Sequence, residues 1–216
     1  GATFKVCYEA GFSGFSVQRW LSNQVVNAAD VATSDKEKRQ KSDKTDARKL
    51  CEHLQTKKMK GIYVPSLQWE HGRSLTRARA RIVSNQTRCK NRIWQLLHFS
   101  GLPLPKGYEA GQYWSRNFIK ELQTIDCGTE ELKITLGLYI KDFLQTRALL
   151  LEATRAIRKL CKQMQYQAEI AFLRSIAGIG EINAAIILFE LQDISRFKGF
   201  DNLCNYVGFV PNTSDS

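Results

Sequence analysis

No apolar run among the 216 residues approaches the roughly 18 needed to cross a membrane, so a transmembrane helix is excluded. No amphipathic helix with Trp and Phe on its apolar side stands in for one. No signal peptide opens the sequence, which sets the expectation of a cytoplasmic protein. The six cysteines (Cys7, Cys51, Cys89, Cys127, Cys161, Cys204) are scattered, and none forms a C-x-x-C pair. That argues against a zinc ribbon and a disulfide framework, and it fits reduced thiols. Only four prolines occur; two of them stand with Gly107 and Gly111 in 101–115, which marks a linker. One absence is local: residues 73–92 hold seven basic side chains and not one acid.

What is present is positive charge, gathered in two blocks. The net charge is +11. Residues 36–60 carry ten basic side chains against four acids, a net +6, and residues 73–92 add +7, so the remainder is slightly acidic. Concentrated positive charge is the footprint of a nucleic-acid partner. A hydrophobic share of 43% and a charged share of 25% suit a globular chain of one or two domains.

Residues 2–10 predict a strand ending in Glu9 beside a Gly-rich turn, the position where α/β sheets carry chemistry. A solvent-facing strand-end Glu is the plainer alternative. A short helix through Val17, Trp20 and Leu21 and a second strand over 25–29 follow. Residues 30–40 read as a loop, and a last extended piece stops at Pro65. Between them lies 41–50, KSDKTDARKL, whose helix continues through Leu54. Asp43 and Asp46 share one face of it, among Lys41, Lys44, Arg48 and Lys49. Two hard-oxygen ligands in a basic setting suit a divalent cation held against a polyanion; a solvated helix of mixed charge is the alternative.

Residues 67–99 predict one long helix. Arg73, Arg77, Arg81, Arg88 and Arg92 fall within an arc of about 100°, and Leu75, Ala78, Ile82, Cys89, Ile93 and Leu96 on a separate arc of about 60°. The first face presents guanidinium groups that can track a phosphate backbone, with no acid interleaved to neutralise them. A second long helix is predicted over 130–169. Leu136, Phe143, Leu150, Ile157 and Met164 repeat every seven residues, with Tyr139, Thr146, Ala153 and Leu160 three further on. The two long helices then pair as an antiparallel hairpin, within the chain or across a dimer. In 176–184 a hydrophobic-x-Gly-hydrophobic-Gly pattern around Gly178, Ile179 and Gly180 has the form of a helix-hairpin-helix, whose turn amides approach phosphate; an ordinary glycine turn is the alternative. Lys198 and Gly199 precede a last short helix.

YEAG at 8–11, DKEKRQKSDKTDARK at 35–49, SIAGIG at 175–180, DISRFK at 193–198 and YVGFVP at 206–211 occur in one order. On these motifs the chain resembles the DEDD-type insertion-sequence transposases, bacterial recombinases guided by a bridge RNA. The resemblance implies a partial RuvC-like (RNase H-like) domain over 1–66, a long-helix coiled-coil region over 67–168 with its linker at 100–115, and a helical C-terminal domain over 169–216. It implies that Glu9, Asp43 and Asp46 bind a divalent metal, Mg²⁺ above all. It also implies that a serine beyond the G-x-x-P motif, Ser216 or else Ser214, attacks a DNA phosphodiester. DNA, a guide RNA and a homo-oligomer are the implied partners, the acids and the serine meeting by docking between protomers. The first Asp of the tetrad belongs on an upstream strand, so the chain is expected to be truncated at both ends and inactive by itself. Two other readings stay open: a non-catalytic nucleic-acid-binding relic, and a junction nuclease that uses the acids without a serine.

Overall fold

The computed structural model describes residues 4–21, 24–27, 42–56, 60–108 and 111–209. It divides into two units, Gly1–Ser66 and Leu67–Ser216. It is mostly helical, with one small parallel sheet among the described residues.

In the first unit β1 (Cys7–Glu9) pairs in parallel with β2 (Gln24–Val26), Cys7 opposite Gln24 and Glu9 opposite Val26. Parallel strands need a crossover, and the intervening chain supplies it with α1 (Ser16–Leu21). The Tyr8 hydroxyl donates to the Gly14 carbonyl (2.9 Å) and accepts from the Gln18 amide (3.1 Å), which ties the strand to the start of α1. Val25 and Val26, β-branched and suited to a pleated surface, are buried. The Ile62 amide donates to the Val25 carbonyl (2.8 Å), so the 60–66 segment runs beside β2. Among the described residues the strands are shorter than the sequence predicts; positions 2–3 and 28–29 of those strands, and the loop read over 30–40, lie outside the described residues. Helix α2 (Asp43–Gln55) packs on β1, where the Cys7 thiol meets the Leu50 carbonyl at 4.0 Å.

The second unit is built on α3 (Leu67–Phe99) and α5 (Glu130–Cys161). Thr129 caps α5 by accepting the Leu132 amide, and Glu130 and Glu131 occupy its first turn, where the helix dipole favours acids. As residue numbers on α3 rise through Arg79, Cys89 and Arg92, their partners on α5 fall through Thr154, Thr146 and Asp142. The two helices are therefore antiparallel within one chain. Leu136, Phe143, Thr146, Ala153 and Ile157 of the heptad seam are buried.

Two cores form along this pair. One gathers Cys89, Ile93 and Leu97 of α3, Phe118, Ile119 and Leu122 of α4 (Arg116–Gln123), and Leu136, Ile140 and Phe143 of α5. The other gathers Ile157 and Cys161 with Tyr166 and Ile170 of α6 (Met164–Arg174) and Ala184, Leu188 and Phe189 of α7 (Glu181–Leu191). Gly72 of α3 lies against Phe189, so close that a Cβ there would stand 2.4 Å from the ring. Beyond α7 come a 3-10 turn (Ile194–Arg196) and α8 (Phe200–Val207).

Three expectations need correction. The helix predicted over 130–169 breaks at Lys162 and Gln163. In a straight helix Tyr166 and Ile170 would stand about 180° and 220° around from Ile157; the extended Gln163 turns α6 so that all three share one core. Met164, placed on the seam by the heptad, is 91% exposed instead. Second, the described residues of the linker over 100–115 include rings packed into the core. Tyr108, Tyr113 and Trp114 set their rings against Phe118, and Trp114 also meets Trp94 and Phe143. Trp114 takes φ +70°, and Arg147 donates to its carbonyl (3.1 Å). Third, on α3 Ala78 is exposed while Gly72, Thr76 and Leu97 are buried. The helix is covered on different sides at its two ends, which a single apolar arc does not describe.

Candidate functional site

The acids sit on neighbouring elements of the first unit. Glu9 is exposed at the C-terminal end of β1. Ser42 caps α2, its hydroxyl accepting the Thr45 amide (3.3 Å), which places Asp43 and Asp46 in the first turn. An acid in that position is favoured by the helix dipole whatever else it does. Asp43 is exposed and Asp46 half-buried. The donor chemistry, three carboxylates, suits a hard divalent cation. The geometry does not gather them: among the described residues no group of three His, Cys, Asp or Glu side chains is placed to hold one ion. Lys44 and Arg48 are exposed on the same helix. Lys41, Ser214 and Ser216 lie outside the described residues.

The arginine face of α3 divides in two. Arg77 forms a fork-to-fork pair with Glu190 of α7, Nε to Oε1 at 2.6 Å and Nη2 to Oε2 at 2.7 Å. That hydrogen-bonded carboxylate raises the Arg77 pKa further. Arg92 reaches Asp142 of α5 at 3.2 Å. Acids absent from the local sequence are thus supplied by the fold. Arg73, Arg81 and Arg88 keep no acid within ion-pair distance among the described residues; Arg88 leans on Asn85 (3.4 Å), and Arg81 and Arg88 are exposed. Arg79, outside the predicted stripe, donates to Thr154 and braces the hairpin (3.0 Å).

The glycine motif joins α6 to α7. Gly178 has φ +87°, which favours glycine, and Gly180 is the N-cap of α7 with no side chain to cap it. The first turn is not electrostatically open, however. Glu181 stands there and pairs with Arg158 (3.3 Å), so it already complements the dipole that a phosphate would seek. Ile179 packs into the second core. The 193–198 motif organises its own turn. Hydrogen bonds from the Ser195 hydroxyl (2.6 Å) and amide (2.9 Å) hold the Asp193 carboxyl below the usual carboxylate range. The Arg196 guanidinium lies over Phe197 and Tyr206, 4.2 and 4.5 Å from the ring centroids. Lys198 is exposed.

Residues 8–100 match the DEDD transposase family of IS110 type, and residues 170–216 match the family described as Transposase IS116/IS110/IS902. The chain carries IS110/IS116-family transposase domains. The DEDD match runs from β1 through the Asp43–Asp46 turn to the end of α3, so it contains both the acids and the arginine face. The chain is similar to the transposase for insertion sequence element IS1533 of Leptospira borgpetersenii, 25% identical over 202 residues, covering 91% of this chain and 56% of that protein. It is also similar to the transposase for insertion sequence element IS1111A of Coxiella burnetii, 22% identical over 184 residues, covering 83% of this chain and 48% of that protein. The chain spans about half the length of the curated relatives it matches. No solved structure matches it. The DEDD domain type points to divalent-metal dependence in general. No helix among the described residues is long and apolar enough to cross a membrane.

Proposed function

We propose that the protein is a transposase that cuts and rejoins DNA strands when an insertion sequence moves. The observation that carries this reading is the pair of transposase matches at 8–100 and 170–216, in the order of the motifs in the chain. Glu9, Asp43 and Asp46 are the proposed ligands of a divalent ion, Mg²⁺ by preference, and Glu9 must close on the Asp pair to share it. A cation held there offsets phosphate charge and orients the scissile group. Ser216, with Ser214 as the alternative, is the proposed nucleophile toward the phosphodiester; a serine hydroxyl needs activation for that role. Arg73, Arg81 and Arg88, with Lys44 and Arg48, are the proposed contacts to nucleic-acid backbones. A guide RNA supplying sequence choice by base pairing, a RuvC-like first domain, a helix-hairpin-helix at 176–184, a homo-oligomer and a cytoplasmic site of action complete the reading.

The test is strand cleavage and transfer by the full-length protein with Mg²⁺. Asp43→Asn and Asp46→Asn are each expected to lower the rate at least a hundredfold while leaving DNA binding in place. Equal rates for wild type and both variants would overturn the metal assignment. The separation of the three carboxylates favours a second reading, a nucleic-acid-binding module without strand chemistry. Under it, the full-length protein binds DNA and cuts nothing.

A further inference from the structure

Asn85, Arg88, Cys89 and Arg92 of α3, with Asp142 and Thr146 of α5, line a polar cleft of about 190 Å³ on the arginine side of the hairpin. Its floor is the buried Cys89, whose thiol donates to the Asp142 Oδ2 (3.2 Å) and lies 3.8 Å from the Thr146 hydroxyl. Its rim is open: the Arg92 and Asp142 side chains are 53% and 48% exposed. Arg92 Nη1 donates to the same Oδ2 (3.2 Å). Among the described residues the Asp142 Oδ1 accepts nothing, and the other N–H groups of Arg92 donate to nothing. A free acceptor and free donors therefore stand side by side at the mouth.

This pattern fits a phosphate poorly. The Arg92 charge is offset by Asp142, and an anion seated here would face that carboxylate. It fits a neutral, planar group that carries donors and acceptors along one edge, which is what an unpaired nucleobase presents. Apolar surface for the face of the ring is close by. Leu138, one turn before Asp142, and Leu149, one turn beyond Thr146, are 57% and 53% exposed on that side of α5. Arg81 and Arg88, exposed and with no acid at ion-pair distance among the described residues, are there to hold the phosphates of the strand.

We propose that the cleft reads one unpaired guanine in a strand held by the arginine face. On its Watson–Crick edge guanine sets an acceptor, O6, beside two adjacent donors, N1–H and N2–H. The free N–H groups of Arg92 donate to O6, and the Asp142 Oδ1, with both lone pairs open, accepts from N1–H and N2–H. Adenine, cytosine, uracil and thymine each offer only one N–H on that edge, so each fits less well. The proposal rests on the nucleic-acid reading above and deepens it: the arginines that keep their charge hold phosphates, while the one whose charge is matched reads a base.

Fluorescence anisotropy with this chain tests it. The ligands are a short adenine-only single strand and the same strand with one central guanine, each made as RNA and as DNA. The guanine strand is expected to bind about tenfold tighter, within the range of one good base contact. A preference in either kind of strand supports the site and names the strand that carries it. Replacing the guanine by 7-deazaguanine, which keeps the Watson–Crick edge, is expected to change little. O6-methylguanine, which lacks the N1–H, is expected to bind like adenine. Asp142→Asn keeps the shape of the side chain and is expected to abolish the preference without weakening the adenine strand, because it frees the Arg92 charge. Leu138→Ala, at an exposed position, is expected to weaken the guanine strand several-fold and to leave the salt dependence unchanged. A guanine preference that survives Asp142→Asn, or O6-methylguanine binding as well as guanine, would overturn the proposal. Equal, salt-dependent binding of all the strands would sink this proposal alone, and no binding of any strand would sink the nucleic-acid reading with it.

Discussion

At the scale of single residues, close packing decides more than charge. Gly72 sits inside a long helix, where Ala would ordinarily be favoured by about 1 kcal/mol. A methyl group there meets Phe189, which is itself wedged against Tyr166 and Trp69 (centroids 5.0 and 5.7 Å). Gly72→Ala is expected to destabilise the fold by about 1–3 kcal/mol, the usual range for overpacking, as a lower urea midpoint. A variant at least as stable as wild type would mean that α3 and α7 do not approach as described. The cysteines divide by burial: Cys51 is exposed, while Cys89, Cys127 and Cys161 are buried. Burial pushes the Cys89 and Cys161 thiols up. A raised thiol favours folding while it stays protonated. That contribution is whole below the unfolded thiol pKa of about 8.5 and is lost as pH rises through the folded value. Alkylation of the native protein is expected to label Cys51 before Cys89 and Cys161, and Cys89→Ala is expected to flatten the alkaline loss of stability. Equal labelling rates would contradict the burial. The Asp43–Asp46 pair was legible in the sequence by spacing. Its placement in a capped first turn was not, because that depends on where Ser42 starts the helix.

At the scale of elements, periodicity found both long helices and missed the C-terminal end of the second. The 67–99 prediction coincides with α3 (Leu67–Phe99). The heptad over 130–169 carried too far because a seven-residue count cannot see that Tyr166 and Ile170 must turn to join Ile157. The small helix α4, just beyond the linker, did have a signal, Ser115 as cap before Phe118, Ile119 and Leu122, but at eight residues it is too short for periodicity to mark it. The break between α5 and α6 makes a sharp prediction. Met164 is the first residue of α6, where proline's missing N–H and fixed φ are tolerated, and the preceding Gln163 is already extended (ψ 137°), as a residue before proline prefers. Met164→Pro is expected to change stability by less than about 1 kcal/mol in thermal unfolding. A loss of about 3 kcal/mol or more, the cost of proline inside a helix, would show one continuous helix.

At the scale of the whole molecule, the sequence showed where positive charge is dense but not which charges are already spent. Glu190 lies 113 residues from Arg77, and Asp142 lies 50 from Arg92. No local window could have paired them, so the stripe of five arginines shrinks to three only once the chain is folded. The bending of α5 into α6 and the packing of the 100–115 segment were equally beyond a local reading. Glu9, by contrast, stands on a different element from the Asp43–Asp46 pair, and among the described residues the three are not gathered around one point, which makes the basic face the firmer part of the functional account. Its most direct test is the salt dependence of nucleic-acid binding by this chain. Each phosphate contact contributes a slope of about −0.9 in log affinity against log salt on duplex DNA. Replacing Arg73, Arg81 and Arg88 together by Gln is expected to make the slope shallower by about two to three units, while Arg92→Gln, which loses a charge already matched by Asp142, changes it by less than one. An unchanged slope in the triple variant, or an Arg92→Gln effect as large, would contradict the account.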